Sequence, residues 1–436
     1  MRHLKEAAAR GQAPDDDTRV PADVRRLLAE IDAGGEAAVR DIARRFDRYE
    51  GDVRVGDARR AALIASVPEA VKDDIRFAHR QVLRFAEAQR RSIAEFEIET
   101  EPGVRLAQRV IPVDCAGCYV PGGRYAHAAS AIMSIATAKA AGVPRIVAAS
   151  PPRDGSIDPT VVFAMDLAGA DAILELGGVQ AIAALAFGLF SGREADIVVG
   201  PGNAHVAEAK RQLFGRIGID VIAGPTESAI IADGSADPMT LAVDLVSQAE
   251  HGPTSPVWLF TTSEAIGREV MRLVPLVAAE LPTGETALRA WNDCAEVLLC
   301  DDPEEVVRIS DRYAPEHLQV ICVDTDWYAQ RLRCYGSLFL GEGSTVTHGD
   351  KCSGTNHILP TGRAGRYSGG LNVHKFLKVL TSQRIDPAAN ERFSAAGSRI
   401  SRIEGMEGHA RACDWRLRKY FPDREWPFEV YAQKRL

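Results

Sequence analysis

No apolar run in the 436 residues approaches the ~18 or more that a membrane span requires. The opening stretch, Met1-Arg2-His3-Leu4-Lys5-Glu6, has no apolar core, so no secretory signal is expected and the cytoplasm is the expected compartment. Positive charge is also short. The formal net charge is −8 and no basic stripe is visible, which argues against a nucleic-acid partner. Cysteines are scattered, at 115, 118, 294, 300, 322, 334, 352 and 413. In a chain this long they read as reduced residues, not a disulfide framework. Cys115-Ala-Gly-Cys118 has no second pair, and a zinc ribbon needs four ligands. Low-complexity tracts and solenoid repeats are missing. So is the G-x-G-x-x-G dinucleotide fingerprint.

What is present is ordinary for a globular enzyme: 46% apolar and 26% charged residues, in a length that suits two or three domains. Residues 1–107 read as a helical N-terminal arm. Val24, Leu27, Leu28, Ile31, Val39, Ile42 and Phe46 recur at helical period, with a break expected at Ala33-Gly34-Gly35. From 108 to 232, short β-rich runs alternate with Ala-rich helical stretches, which predicts a first α/β domain with parallel βαβ units. A second α/β domain is expected over 233–381, with Ser337 to Thr381 Gly-rich and irregular. A C-terminal helical segment follows over 382–436. The fold class is thus α/β, with two doubly wound, incomplete Rossmann-like domains and helical extensions.

Several residue groups are able to carry chemistry. Gln248 and His251 lie three apart at a helix end and share a face, where an imidazole and an amide oxygen suit zinc. The plainer reading is a histidine held by a backbone carbonyl. Asp350, with His348 and His357, falls in a Gly-rich stretch that permits close backbone approach. Glu316-His317 supplies two proton-moving groups beside an expected strand, or merely a charged helix end. Glu404 and His409 bracket a C-terminal turn that also reads as a solvated face. Pro121-Gly122-Gly123, Gly177-Gly178 and Gly200-Pro201-Gly202-Asn203 each follow a strand. Such turns admit ligands to backbone N–H groups, or are ordinary strand-to-helix turns.

Taken in order, Tyr119-Val-Pro-Gly-Gly123, Gly177-Gly-Val-Gln180, Gly200-Pro-Gly-Asn203, Ala223-Gly-Pro-Thr226-Glu227, Ser247-Gln-Ala-Glu-His-Gly252, Ala314-Pro-Glu-His-Leu318, Gly349-Asp350, Ser353 to Thr361 and Glu404-Gly resemble histidinol dehydrogenases over residues ~20 to ~415. The resemblance implies an NAD-dependent alcohol dehydrogenase that takes a primary alcohol through an aldehyde to a carboxylate. It implies one zinc per subunit on Gln248, His251, Asp350 and His409, with Glu316 activating water and His317 as general base. NAD would touch Tyr119, Gln180 and Asn203. Thr226, Gln248, His251, Glu316, Asp350, His357, Glu404 and His409 would line the substrate site. A homodimer is implied, with Glu404 and His409 entering the partner's pocket.

The sequence departs from the family at Thr226, where serine is usual, and at Lys351, where an aromatic residue is expected. Arg124, His127 and His348 add cationic groups near the motifs. Cations disfavour cationic histidinol and suit an anion. Some relatives oxidise 2,3-dihydroxypropane-1-sulfonate (sulfopropanediol) to sulfolactate, and Gly349-Asp-Lys-Cys-Ser-Gly354 looks closer to that group. L-histidinol and sulfopropanediol are therefore both expected candidates. An inactive, ligand-binding paralogue is the alternative from another class, and it would show a lost catalytic residue. Glu316, His317, Gln248, His251, Asp350 and His409 are all present.

Overall fold

The computed structural model describes residues 1–8, 19–122 and 125–426. The chain forms two compact units: Met1–Arg90 with Pro112–Phe376, and Arg91–Ile111 with Leu377–Leu436. In chain order the strands are β1 (Arg2–Lys5), β2 (Phe96–Glu101), β3 (Val104–Pro112), β4 (Cys115–Tyr119), β5 (Arg145–Ser150), β6 (Ala172–Glu175), β7 (Ile197–Val199), β8 (Gly218–Ile219), β9 (Ser228–Ala232), β10 (Val257–Thr261), β11 (Glu296–Leu299), β12 (His317–Ile321), β13 (Ser337–Leu340) and β14 (Leu377–Ile385).

The first unit holds two sheets of one design. Strands β4 to β8 form a parallel sheet in the order β6-β5-β4-β7-β8, and β9 to β13 repeat that order as β11-β10-β9-β12-β13. Both are doubly wound, with the chain starting in the middle, running to one edge, then returning to the other side of the first strand. The central strands are covered on both faces, so their sequences are continuous apolar runs rather than alternating ones. Arg145–Ser150 and Ser228–Ala232 are buried almost throughout.

Local chemistry sets the helix ends. Asp158-Pro159, Asp237-Pro238 and Asp302-Pro303 each start a helix, the aspartate accepting a backbone N–H from Thr160, Thr240 or Glu305. Proline at the first helical position gives up no bond, and each cap contributes about 1 kcal/mol. Helix Ala128–Ala141 stops at Gly142, whose φ of 89° is free of Cβ strain and whose N–H returns to Ala138 and Lys139. In the helix Arg19–Phe46, the expected break occurs at Gly35, which leaves helical geometry at φ 57°, ψ −140°.

Two sequence expectations need correction. The first ~100 residues are not all helical: β1 pairs antiparallel with β11 as an edge strand of the second sheet, and β2 pairs antiparallel with β3. Ser337 to Thr381 is not simply irregular, since it contains β13, the short helix Val346–Lys351 and the start of β14. In both regions strand pairing overrides weak local propensity. In the second unit, β14, β3 and β2 form a three-stranded sheet. Helices Asn390–Ile403 and Glu407–Tyr420 pack on each other there, with the Arg402 guanidinium bridging Ser398, Glu407 and Asp414. No helix among the described residues is long and apolar enough to cross a membrane.

Candidate active site

The carboxyl ends of β4 and β7 flank the point where strand order reverses in the first sheet, the usual ligand crevice of a doubly wound fold. Tyr119 ends β4, and Gly200-Pro201-Gly202-Asn203 follows β7. The two approach so closely that a Cβ on Gly200, at φ +120°, would stand 1.9 Å from the Tyr119 carbonyl oxygen. Asn203 caps the helix Ala204–Leu213 by accepting the Val206 N–H. Gln180 lies in the first turn of the helix Gly178–Phe187, which follows β6. It is buried, and its amide donates to Asp47 at 2.7 Å. Gly178 N–H meets the Tyr119 hydroxyl at 3.4 Å. The three residues expected at the cofactor therefore share the carboxyl end of one sheet, and each also makes a protein contact.

The second centre lies at the amino ends of β9 and β12, where Ser228 and His317 stand in register. Helix Pro303–Tyr313 ends at Ala314 in left-handed geometry, turning Pro315-Glu316 into β12. The Glu316 carboxylate accepts the Glu227 N–H at 3.0 Å. His317 Nδ1 lies 3.3 Å from the Glu227 carbonyl oxygen and 3.8 Å from Glu316 Oε2. A neutral Nδ1–H donating to that carbonyl leaves Nε2 as the basic nitrogen. Nε2 lies 3.2 Å from Asp350 Oδ1, at ion-pair distance but too oblique for a directed hydrogen bond. Glu316 and His317 are 6% and 3% exposed. Burial raises the Glu316 carboxyl to about 8. Burial alone would lower His317, but Glu316 and Asp350 outweigh it and raise the imidazole to about 9.

Asp350 sits in the short helix Val346–Lys351, 6% exposed. His357 is held by two contacts, Nδ1 to the Asp350 carbonyl oxygen at 2.9 Å and Nε2 to Ser130 Oγ at 2.8 Å. Burial pushes it down to about 4, so it is neutral. Helix Pro238–Ala249 delivers Gln248 and His251 to the same region, with His251 inside the fields of Asp350, Lys351 and His317. His251 Nδ1 meets the Gln248 carbonyl oxygen at 3.0 Å, the plain helix-end contact, which leaves Nε2 as the nitrogen for a ligand. Gln248 is 2% exposed, yet its Oε1 has no hydrogen-bond partner among the described residues. A buried, unpaired amide oxygen costs about 1–3 kcal/mol unless something fills it. Among the described residues no three His, Cys, Asp or Glu side chains gather as a metal cluster. An amide oxygen, an imidazole and a carboxylate do fit three of the positions of a divalent ion. Glu404 and His409 belong to the second unit, at the end of helix Asn390–Ile403 and in the first turn of Glu407–Tyr420.

Thr226 is half-buried beside Glu227, and His348 is exposed. His127 precedes the helix Ala128–Ala141. Burial first, then the charges of Lys351 and His251, push it down to about 4. Lys351 is exposed and pairs with no acid among the described residues. Arg124 lies outside the described residues. All eight cysteines are free, and burial raises the Cys115 thiol to about 11 and Cys118 further, so the C-x-x-C pair is inert. Sequence reasoning missed Glu227, whose backbone orders both Glu316 and His317. Its side-chain Oε1 accepts the Gly362 N–H at 2.9 Å, while Oε2 is buried without a partner among the described residues. The signal was its place directly after Thr226 in a motif already singled out. Ser130 and Asp47 carried no such signal.

Comparison with known proteins gives the family. The sequence profile described as Histidinol dehydrogenase matches residues 10–417. A sulfopropanediol 3-dehydrogenase of Ruegeria pomeroyi is 54% identical over 426 residues, 97% of this chain and 98% of that one. A histidinol dehydrogenase of Cereibacter sphaeroides is 39% identical over 410 residues, 93% of this chain and 94% of that one. The crystal structure of histidinol dehydrogenase from Elizabethkingia anophelis superposes with a TM-score of 0.87 at 31% identity, covering 92% of each chain. The chain belongs to the histidinol dehydrogenase family and is a dehydrogenase.

Proposed function

We propose that the chain is a zinc-dependent, NAD-linked dehydrogenase that oxidises the primary alcohol of sulfopropanediol through an aldehyde to the carboxylate. The observation that carries the reading is the buried His317, placed between the Glu227 carbonyl with Glu316 on one side and Asp350 on the other. His317 Nε2 takes the hydroxyl proton of the alcohol, and NAD, when bound, would supply the hydride acceptor. Glu316 then deprotonates water, which adds to the aldehyde to give a gem-diol. After releasing that first proton to solvent, His317 acts again as base in the second oxidation, and the four-electron change would need two NAD per alcohol. Burial keeps the aldehyde away from bulk water between the steps. Gln248, His251 and Asp350, with His409 of a second subunit in a homodimer, would hold zinc. When bound, zinc supplies a Lewis-acid anchor for substrate oxygen and offsets the Asp350 charge that raises His317. Tyr119, Gln180 and Asn203 would contact NAD, and Thr226, His357 and Glu404 would line the substrate pocket. The expected compartment is the cytoplasm.

The sulfonate is favoured over histidinol by Lys351, a cation with no acidic partner among the described residues, directly after Asp350, whose field reaches His127, His251 and His357. The 54% identity to a sulfopropanediol 3-dehydrogenase points the same way. One observation favours histidinol: the unpaired Glu227 Oε2 would suit an ammonium group. Lys351→Met separates the readings. It should raise KM for sulfopropanediol about tenfold or more, the loss of one charge-assisted contact, and leave zinc content unchanged. An unchanged KM for the sulfonate contradicts the assignment.

A further inference from the structure

Lysine is almost never fully buried unless paired, yet Lys210 is 2% exposed, at the end of helix Ala204–Leu213. Its ammonium group has three donors, and all three are used. It donates to Asp220, to the Gly200 carbonyl oxygen at 2.9 Å and to the Val221 carbonyl oxygen at 2.9 Å. Asp220, 4% exposed, uses its second oxygen to accept the Gly200 N–H at 2.7 Å. The pair therefore grips Gly200 by both its N–H and its C=O. It also grips the chain at Val221, where the chain leaves the first sheet and crosses towards Glu227 and β9. A buried ion pair is a poor source of stability, because desolvation offsets the attraction and apolar replacements are often neutral. What this pair does supply is geometry. It fixes a turn whose Gly200 would clash with Tyr119 if it carried a Cβ, and it ties that turn to the segment that leads on to Glu227, whose backbone meets Glu316 and His317.

We propose that Lys210 and Asp220 are positioning residues for the dinucleotide, holding the Gly200–Asn203 turn against Tyr119 and setting it relative to the catalytic histidine. The inference rests on the reading of this end of the sheet as the NAD site. Neither residue touches the cofactor. Both act through Gly200.

The test is calorimetric titration of NADH into the zinc-loaded parent and into the double variant Lys210→Met/Asp220→Leu, which removes the pair without leaving a lone buried charge. The variant is expected to bind NADH about tenfold more weakly, the scale of one lost hydrogen bond in positioning. Its KM for NAD should rise while KM for the alcohol and zinc content stay at parental values. Lys210→Met/Asp220→Asn, which also leaves no lone charge but keeps an acceptor for the Gly200 N–H, should show a smaller loss in the same direction, and it carries the test alone if the first variant fails to fold. Parental NADH affinity in a folded variant overturns the positioning role while leaving the NAD reading intact. A parent that binds no NADH overturns both.

Discussion

The unpaired Gln248 oxygen makes a sharp prediction about Gln248→Met. Methionine matches glutamine in length and volume, so no cavity opens. In the metal-free protein the substitution deletes a buried carbonyl oxygen with no partner among the described residues, and an amide nitrogen whose contact, Ser247 Oγ at 3.5 Å, is marginal. Removing that penalty should stabilise the apoprotein by about 1–3 kcal/mol. With zinc the order should reverse or close. At a zinc concentration ~100 times its Kd the parent gains about 2.7 kcal/mol, and the variant, short of one ligand, gains much less. The assay is urea unfolding followed by circular dichroism, with EDTA and with zinc, using the first transition of each protein. A variant that is less stable than the parent in EDTA refutes the reasoning about the orphaned oxygen. Equal stabilisation of both proteins by zinc refutes the assignment of Gln248 to the metal.

Other perturbations reach the remaining parts of the site. Glu316→Gln keeps an acceptor for the Glu227 N–H but removes the carboxylate, so kcat should fall about 10²–10⁴-fold with NADH affinity unchanged by calorimetry. Ser130→Ala leaves His357 Nε2 without its 2.8 Å partner; it should cost about 1 kcal/mol of stability in urea and raise KM for the alcohol. Burial raises the Glu227 carboxyl from its ordinary value to about 7. The folded state therefore binds its proton more tightly than the unfolded chain, and stability is lost as pH rises from about 4.5 through about 7. Glu227→Gln removes that loss, so its advantage over the metal-free parent in urea unfolding should grow between pH 5 and pH 8.

Much of this was legible in the sequence because it was local. The alternation of apolar strands with Ala-rich helices and the break at Gly34-Gly35 depend on neighbours a few residues apart, and the alternation gave the α/β class directly. The repeated strand order was not legible, since it exists only in pairing. β1 was read as part of a helical arm because four residues carry no periodic signal, and its partner β11 lies almost 300 residues away. The stretch after Ser337 looked irregular because its glycines mask β13 and the helix bearing Asp350. At the site, motif residues such as Glu316, His317 and Asp350 were readable and the structure brings them together. Their supports were not, because Ser130, Asp47 and the Lys210–Asp220 pair act through contacts that no spacing encodes.

The central claim is best tested by NADH production from the purified, zinc-loaded protein given sulfopropanediol and L-histidinol in parallel. The account predicts two NADH per sulfopropanediol consumed and little turnover of histidinol. Two NADH per histidinol, with none from the sulfonate, would contradict it and make Lys351 a bystander.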